Sequence, residues 1–157
     1  MAVPLLGSPF LGELGKDTHS PYLFILVSQN LTVILNFALR HHMIPSFNAN
    51  LRHKFNHLMY VNDLILISHA SRKTARYIKM CLFIYGHLTS QHPSTSKSKI
   101  FFPTWFSENI IKSIYCILSY RDGSFSFTYL GILISTKNLA VSHFNSMLDR
   151  IDRTISN

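Results

Sequence analysis

The sequence predicts an α+β fold in which helices pack on an antiparallel sheet with a central hairpin. Two short apolar runs, residues 58–61 and 64–67, flank Asn62-Asp63, which is typical of two antiparallel strands joined by a tight turn. The segments on either side of this hairpin carry apolar residues at helical spacing. The chain has 157 residues, of which 47% are hydrophobic and 14% charged. That length and composition suit one domain with its own core.

The first predicted helix begins at Ser20-Pro21, because serine can cap a helix and proline is tolerated at its first position. Its apolar positions fall on one face: Phe24, Val27, Leu31, Ile34, Leu35 and Ala38. Arg40 and the two histidines after it close the helix, where cations suit the helix dipole. Residues 1–19 contain several glycines and prolines and are expected to form an irregular segment.

The hairpin, predicted over residues 57–68, is apolar on both faces and is therefore expected to be central and covered. Ser71 can cap a second helix, which Gly86 is expected to end. Its buried stripe has four members: Ala75, Ile78, Leu82 and Tyr85. Residues 100–102 form a short predicted strand, which Pro103 stops.

Three further elements are predicted in the remainder of the chain. Ser107 can cap a third helix, whose apolar face has four isoleucines: Ile110, Ile111, Ile114 and Ile117. Residues 127–134 resemble a pair of strands around Gly131, and a last helix is expected from about Ser142. No internal repeat is visible.

The charge balance favours an anionic partner. The chain carries 15 Lys and Arg against 7 Asp and Glu, a formal net charge of +8. Such an excess suits nucleic acid or an anionic membrane surface, although a basic protein without a functional patch has the same composition. The two cysteines, Cys81 and Cys116, are too far apart in sequence to predict a disulfide framework or a zinc site.

No signal-peptide pattern is present, so an intracellular location, nuclear or cytoplasmic, is expected. Residues 22–39 are uncharged, and a membrane-associated protein using this stretch is one alternative. Polar side chains within it argue against stable membrane insertion: Ser28, Gln29, Asn30, Thr32 and Asn36.

Five short segments point in one direction when they are read together. In chain order they are Ser-Pro-Tyr-Leu-Phe-Ile-Leu (20–26), Tyr-Val-Asn-Asp-Leu (60–64), Lys-Ser followed by Ile-Phe-Phe (97–102), Phe-Thr-Tyr-Leu-Gly-Ile (127–132) and Leu-Asp-Arg-Ile (148–151). Their order and spacing resemble the reverse transcriptase domain of non-LTR (LINE-type) retrotransposons, particularly the plant-type elements, in a truncated and degenerate form. The resemblance extends over nearly the whole chain.

The resemblance implies a single partial reverse transcriptase domain over residues 1–157. In it, residues 20–135 are palm-like and residues 136–157 begin the thumb helix. The implied activity is RNA-directed DNA polymerisation, with Mg²⁺ held at the hairpin and RNA or an RNA–DNA hybrid as partner. No small-molecule cofactor is implied.

The family's hairpin carries two catalytic aspartates, whose positions correspond here to Asn62 and Asp63. The other implied site residues shape the nucleotide and template pocket (Asp17, Ser20 and Pro21) or contact nucleic acid (Lys97, Tyr129, Leu130 and Gly131).

The departures from the family pattern predict a chain that is inactive by itself. Two Mg²⁺ ions clamp the attacking and leaving oxygens in polymerisation, and Mg²⁺ prefers carboxylate ligands. Asn62 replaces one carboxylate, and Asp63 is the one acid on the hairpin. Nothing upstream resembles the family's early aspartate motif. We therefore expect Asp63 to be a relic and no Mg²⁺ to be bound tightly.

Simpler interpretations remain open for each site. Asn62-Asp63 favours a turn on local hydrogen bonding alone. Residues 129–131 are equally consistent with core packing and a glycine bend. His53 and His57 have a metal-binding spacing, but chance explains it among nine histidines. The second functional hypothesis is a non-enzymatic, basic nucleic-acid-binding module.

Overall fold

The computed structural model describes residues 21–50, 53–60, 63–125, 127–130, 132–135, 144–145, 148–149 and 152–153. The chain divides into two compact units, Met1–Gly123 and Ser124–Asn157. The boundary falls inside the range 20–135. The division into a palm-like part and a thumb start therefore stays a prediction.

Mixed α and β structure is confirmed in the first unit. The described residues of this unit form three helices, α1 (Pro21–Arg40), α2 (Arg72–Thr89) and α3 (Glu108–Leu118). All four predicted stripe residues of α2 are buried, as are Leu31, Leu35 and Ala38 in α1 and Ile114 in α3. Because these positions recur every three or four residues, each helix turns one apolar face towards the core.

The predicted caps are confirmed at the start of α2 but not at its end, and Ser107 precedes α3 without a side-chain cap hydrogen bond. Ser71 precedes α2 and its Oγ accepts a hydrogen bond from the Thr74 amide at 3.1 Å, as predicted. The predicted end of α2 at Gly86 is wrong, since the helix continues to Thr89 and ends at Ser90 in the left-handed conformation. Gly86 instead lies close to the His92 ring, with which a Cβ at this position would clash. The absence of a side chain at Gly86 leaves room for the segment that follows α2.

The predicted hairpin is present as β3 (His57–Tyr60) and β4 (Asp63–Leu66), which pair antiparallel. A preceding pair, β1 (Phe47–Asn50) and β2 (His53–Phe55), was not predicted from the sequence. Its segments are short and rich in polar residues, with little strand propensity to reveal them.

The expectation of one larger antiparallel sheet needs correction. The strands that the structure describes form separate two-stranded sheets, and one of these is parallel. In that sheet β5 (Lys99–Ile100) pairs with β6 (Arg121–Asp122), and α3 connects the two strands. A parallel pair needs a long crossover, which the helix supplies.

One apolar core joins the three helices to β4. The core residues of lowest exposure are Leu31, Leu35, Ala38, Ile44, Leu64, Leu66, Ile78, Tyr85, Ile100 and Ile114. Gly123, the last residue of this unit, lies against the ring of buried Phe101. A Cβ at this position would lie 2.5–2.8 Å from three carbons of that ring. The Gly123 amide donates to the Ile100 carbonyl at 2.9 Å, which holds the end of β6 beside β5.

The second unit contains the other predicted hairpin, formed by β7 (Phe127–Tyr129) and β8 (Ile132–Ile134). Leu130, between them, has a φ of 51°, a left-handed conformation that is unusual for a leucine. Residues 145, 148–149 and 152–153 are helical, in agreement with a last helix from about residue 142 at the positions described.

Among the residues described, no helix combines the length and the apolar character needed to cross a membrane.

Candidate functional site

The β3–β4 hairpin places Asp63 at the start of a strand. Asp63 is the first residue of β4 and pairs with Tyr60, the last residue of β3, so it does not lie in the turn as predicted. Asn62 lies outside the described residues. The Asp63 side chain is half-buried, whereas Tyr60 is exposed.

The two faces of this hairpin differ in environment. Side chains alternate along a strand, so Leu64 and Leu66 share the face that joins the core, and Asp63 and Ile65 share the other. The prediction of a hairpin covered on both faces holds for β4 but is wrong for β3, where Leu58 is 46% exposed. The carboxylate of Asp63 is thus on the more open face of the ribbon.

A buried asparagine anchors the hairpin to α1. Asn56 has no exposed surface, and its Nδ2 donates to the Leu35 carbonyl at 3.1 Å. Its Oδ1 lies 2.6 Å from Nδ1 of His57. An amide oxygen only accepts, so Nδ1 of His57 must carry the proton in this arrangement. The Asn56 carbonyl also accepts from the Ile67 amide at 2.8 Å, which closes the open end of the hairpin.

Burial lowers the pKa of His57 below the ordinary histidine value of about 6.5. The unfolded chain therefore binds this proton more readily than the folded chain does. His57 contributes stability that is present above about pH 6.5 and is lost as the pH falls through the folded-state pKa.

We expect the free energy of unfolding to decline on acidification from about pH 7 to about pH 5, with a slope that is smaller in His57→Gln. Urea denaturation at a series of pH values measures it. His69→Gln, at an exposed position in the same region, is the control for replacing a histidine with glutamine. An unchanged slope in His57→Gln would contradict the assignment.

Three carboxylates of the first unit lie within the described residues: Asp63, Glu108 and Asp122. No group of three or more His, Cys, Asp or Glu side chains gathers within the part of the chain that the structure describes. In the first unit, two described carboxylates besides Asp63 are engaged elsewhere. Glu108 lies 3.9 Å from the Lys112 ammonium, and Asp122 accepts a hydrogen bond from the Tyr115 hydroxyl. Burial, followed by the nearby Asp122 carboxylate, raises the pKa of Tyr115.

The other predicted site residues are not brought together. Asp17, Ser20 and Gly131 lie outside the described residues, and Pro21 is the first residue of α1. Lys97 is exposed in a turn after α2, where its amide donates to the Ser94 carbonyl at 3.3 Å.

The remaining two predicted contact residues belong to the second unit. Tyr129 is half-buried and pairs with Ile132, and the Leu130 side chain is exposed beside it. Their predicted contact with a nucleic acid stays a prediction.

No family model, no curated protein and no solved structure matches this chain. The resemblance to reverse transcriptases therefore depends on the five segments and on the hairpin that holds one of them.

A basic groove lies between α2 and α3. It has a volume of about 480 Å³ and six lining residues: Arg72, Arg76, Lys112, Ser113, Cys116 and Ile117. The sequence signal is the spacing of four between Arg72 and Arg76, and between Lys112 and Cys116, which puts each pair on one helical face. Nothing local in the sequence indicates that these two faces meet.

Proposed function

We propose that this chain is a remnant of an RNA-directed DNA polymerase, the palm and the start of the thumb of a non-LTR retrotransposon reverse transcriptase. The β3–β4 hairpin is the observation that carries the proposal. It is a tight antiparallel ribbon, it lies between α1 and α2 in the chain, and it presents Asp63 beside the connection of its two strands.

We propose further that the chain does not polymerise by itself. Two-metal phosphoryl transfer needs several carboxylates around one point. Asp63 is the one acid of this hairpin, and Asn62 is neutral at neutral pH. A single unit of negative charge is insufficient to hold two divalent cations.

Primer extension tests the inactivity directly. Purified protein is incubated with a primed RNA template, deoxynucleotides and Mg²⁺ or Mn²⁺, beside a working reverse transcriptase. We expect no extension by the natural sequence, by Asp63→Asn, or by Asn62→Asp, which restores the acid pair but no other ligand. Extension by the natural sequence that Asp63→Asn abolishes would overturn the proposal of an inactive chain.

The ancestry has a separate test in the genomic DNA that flanks the coding sequence. Remnants of the missing aspartate motif upstream, or of a zinc knuckle or nuclease downstream, would support retroelement origin. Unrelated host exons joined in frame on both sides would count against it.

A second candidate function is a non-enzymatic nucleic-acid-binding module, and the surface of α2 favours it. Four cationic side chains are exposed on this helix: Arg72, Lys73, Arg76 and Lys79. Backbone phosphates attract such a surface in a salt-dependent manner. Salt-dependent RNA binding in the absence of primer extension is the result expected for this function.

A further inference from the structure

The groove between α2 and α3 concentrates positive charge. α2 contributes Arg72 and Arg76, one turn apart, and α3 contributes Lys112 from the other side. Within the described residues, neither arginine forms an ion pair. Lys112 has one acidic neighbour, Glu108 at 3.9 Å, in a pair whose side chains are both largely exposed. Such a pair contributes little, so the groove keeps most of its positive potential.

The donors in the groove suit phosphate oxygens. A guanidinium presents a planar fork of N–H groups that can bind two oxygens of one phosphate, and an ammonium adds a third point of charge. The Ser113 hydroxyl already donates to the Asn109 carbonyl at 2.8 Å, so the cations provide the available donors. The apolar stems of these side chains and Ile117 form the walls.

The surroundings favour a long polyanion over a small one. The groove is open to solvent, and its cations continue along α2 as exposed Lys73 and Lys79. A single small anion would use one phosphate-sized part of this surface. A nucleic acid carries its charges in a row and can use the groove and the adjoining helix together.

We propose that the α2–α3 groove, defined by Arg72, Arg76 and Lys112, binds the phosphodiester backbone of a nucleic acid without reading its sequence. The proposal rests on the nucleic-acid binding proposed above, but it does not depend on polymerase ancestry. The groove is a site distinct from the hairpin that carries Asp63.

Two double variants test the groove with an equal loss of positive charge. Arg72→Gln/Arg76→Gln removes the two groove arginines, and Arg40→Gln/Lys99→Gln removes two exposed cations outside α2 and the groove. All four positions are exposed, so both variants should keep the fold, which far-UV circular dichroism checks.

The measurement is the affinity of the full chain for a labelled RNA oligonucleotide by fluorescence anisotropy at several salt concentrations. Each lost phosphate contact should reduce the slope of log affinity against log salt by about 0.7. The slope of the groove variant should therefore fall by about 1.4, and its affinity for the RNA should fall about tenfold or more. In the control variant, the slope and the affinity should each change by less than half as much. Equal losses in the two variants would overturn the proposal.

Cys116 supplies an independent readout, because it lines the groove and is exposed. The other cysteine, Cys81, is buried, and burial raises the pKa of its thiol to about 11. A maleimide should therefore label Cys116 first. Saturating RNA should slow that labelling severalfold in the natural sequence and in Arg40→Gln/Lys99→Gln.

Three further results would overturn the groove site: an unchanged labelling rate at saturating RNA, protection by polyglutamate equal to that by RNA, or no RNA binding by the natural sequence. The second would assign the groove to acidic peptides instead. The third would also exclude the binding-module function, whereas primer extension and the genomic flanks judge the polymerase ancestry separately.

Discussion

Replacing Leu66 with alanine should lower the free energy of unfolding by about 2–5 kcal/mol. Leu66 is the last residue of β4 and has no exposed surface. It belongs to the core that also includes Leu35 of α1 and Ile78 of α2. The substitution removes buried methyl groups and leaves a cavity that close-packed neighbours fill only in part. The hairpin would then lose much of its attachment to the helices.

Urea denaturation followed by circular dichroism measures this loss, and Leu58→Ala is its matched control. Leu58 lies on the paired strand of the same hairpin, but its side chain is 46% exposed. The identical chemical change there should cost less than about 1 kcal/mol, because much less apolar area returns to water. Similar losses at both positions would contradict the burial that separates the two faces.

Replacing Asn56 with alanine should cost about 2–4 kcal/mol of unfolding free energy. The variant loses the hydrogen bond from Nδ2 to the Leu35 carbonyl and the bond between Oδ1 and His57. The second loss leaves the Nδ1–H of half-buried His57 without its partner, and an unsatisfied buried donor costs more than the net value of a bond. The side-chain link between the hairpin and α1 is removed at the same time.

Asn109→Ala, at an exposed position of α3, is the control for Asn56→Ala and should leave stability unchanged or slightly higher, since alanine favours helix. A double-mutant cycle with His57→Ala isolates the Asn56–His57 bond and should give a coupling energy of about 0.5–3 kcal/mol. Strict additivity of the two substitutions would show that the bond makes no contribution.

Much of the helical structure could be predicted, because its determinants lie close together in sequence. The stripe in α2 that contains Ile78 and Tyr85 and the cap at Ser71 both follow from residues three or four apart. The end of α2 was the exception. Gly86 commonly ends helices, but here it is buried and makes room for a segment that folds back beside it.

The candidate sites were predictable to different degrees. The hairpin that carries Asp63 is confirmed, since two apolar runs around a short connection are a local signal. The open face of β3 was not predictable, because the sequence of His57–Tyr60 does not state which side a helix will cover. For the same reason the α2–α3 groove could not be found.

Residue spacing and composition alone thus specified the helices, one cap, two hairpins and the basic charge of the chain. Contacts between residues distant in sequence decided three other features: the pairing of β5 with β6, the burial of Asn56 against α1, and the groove that Arg72, Arg76 and Lys112 line together. Helix and hairpin signals arise from residues that are close in sequence. The choice of packing partner depends instead on which apolar faces are buried against each other, away from water.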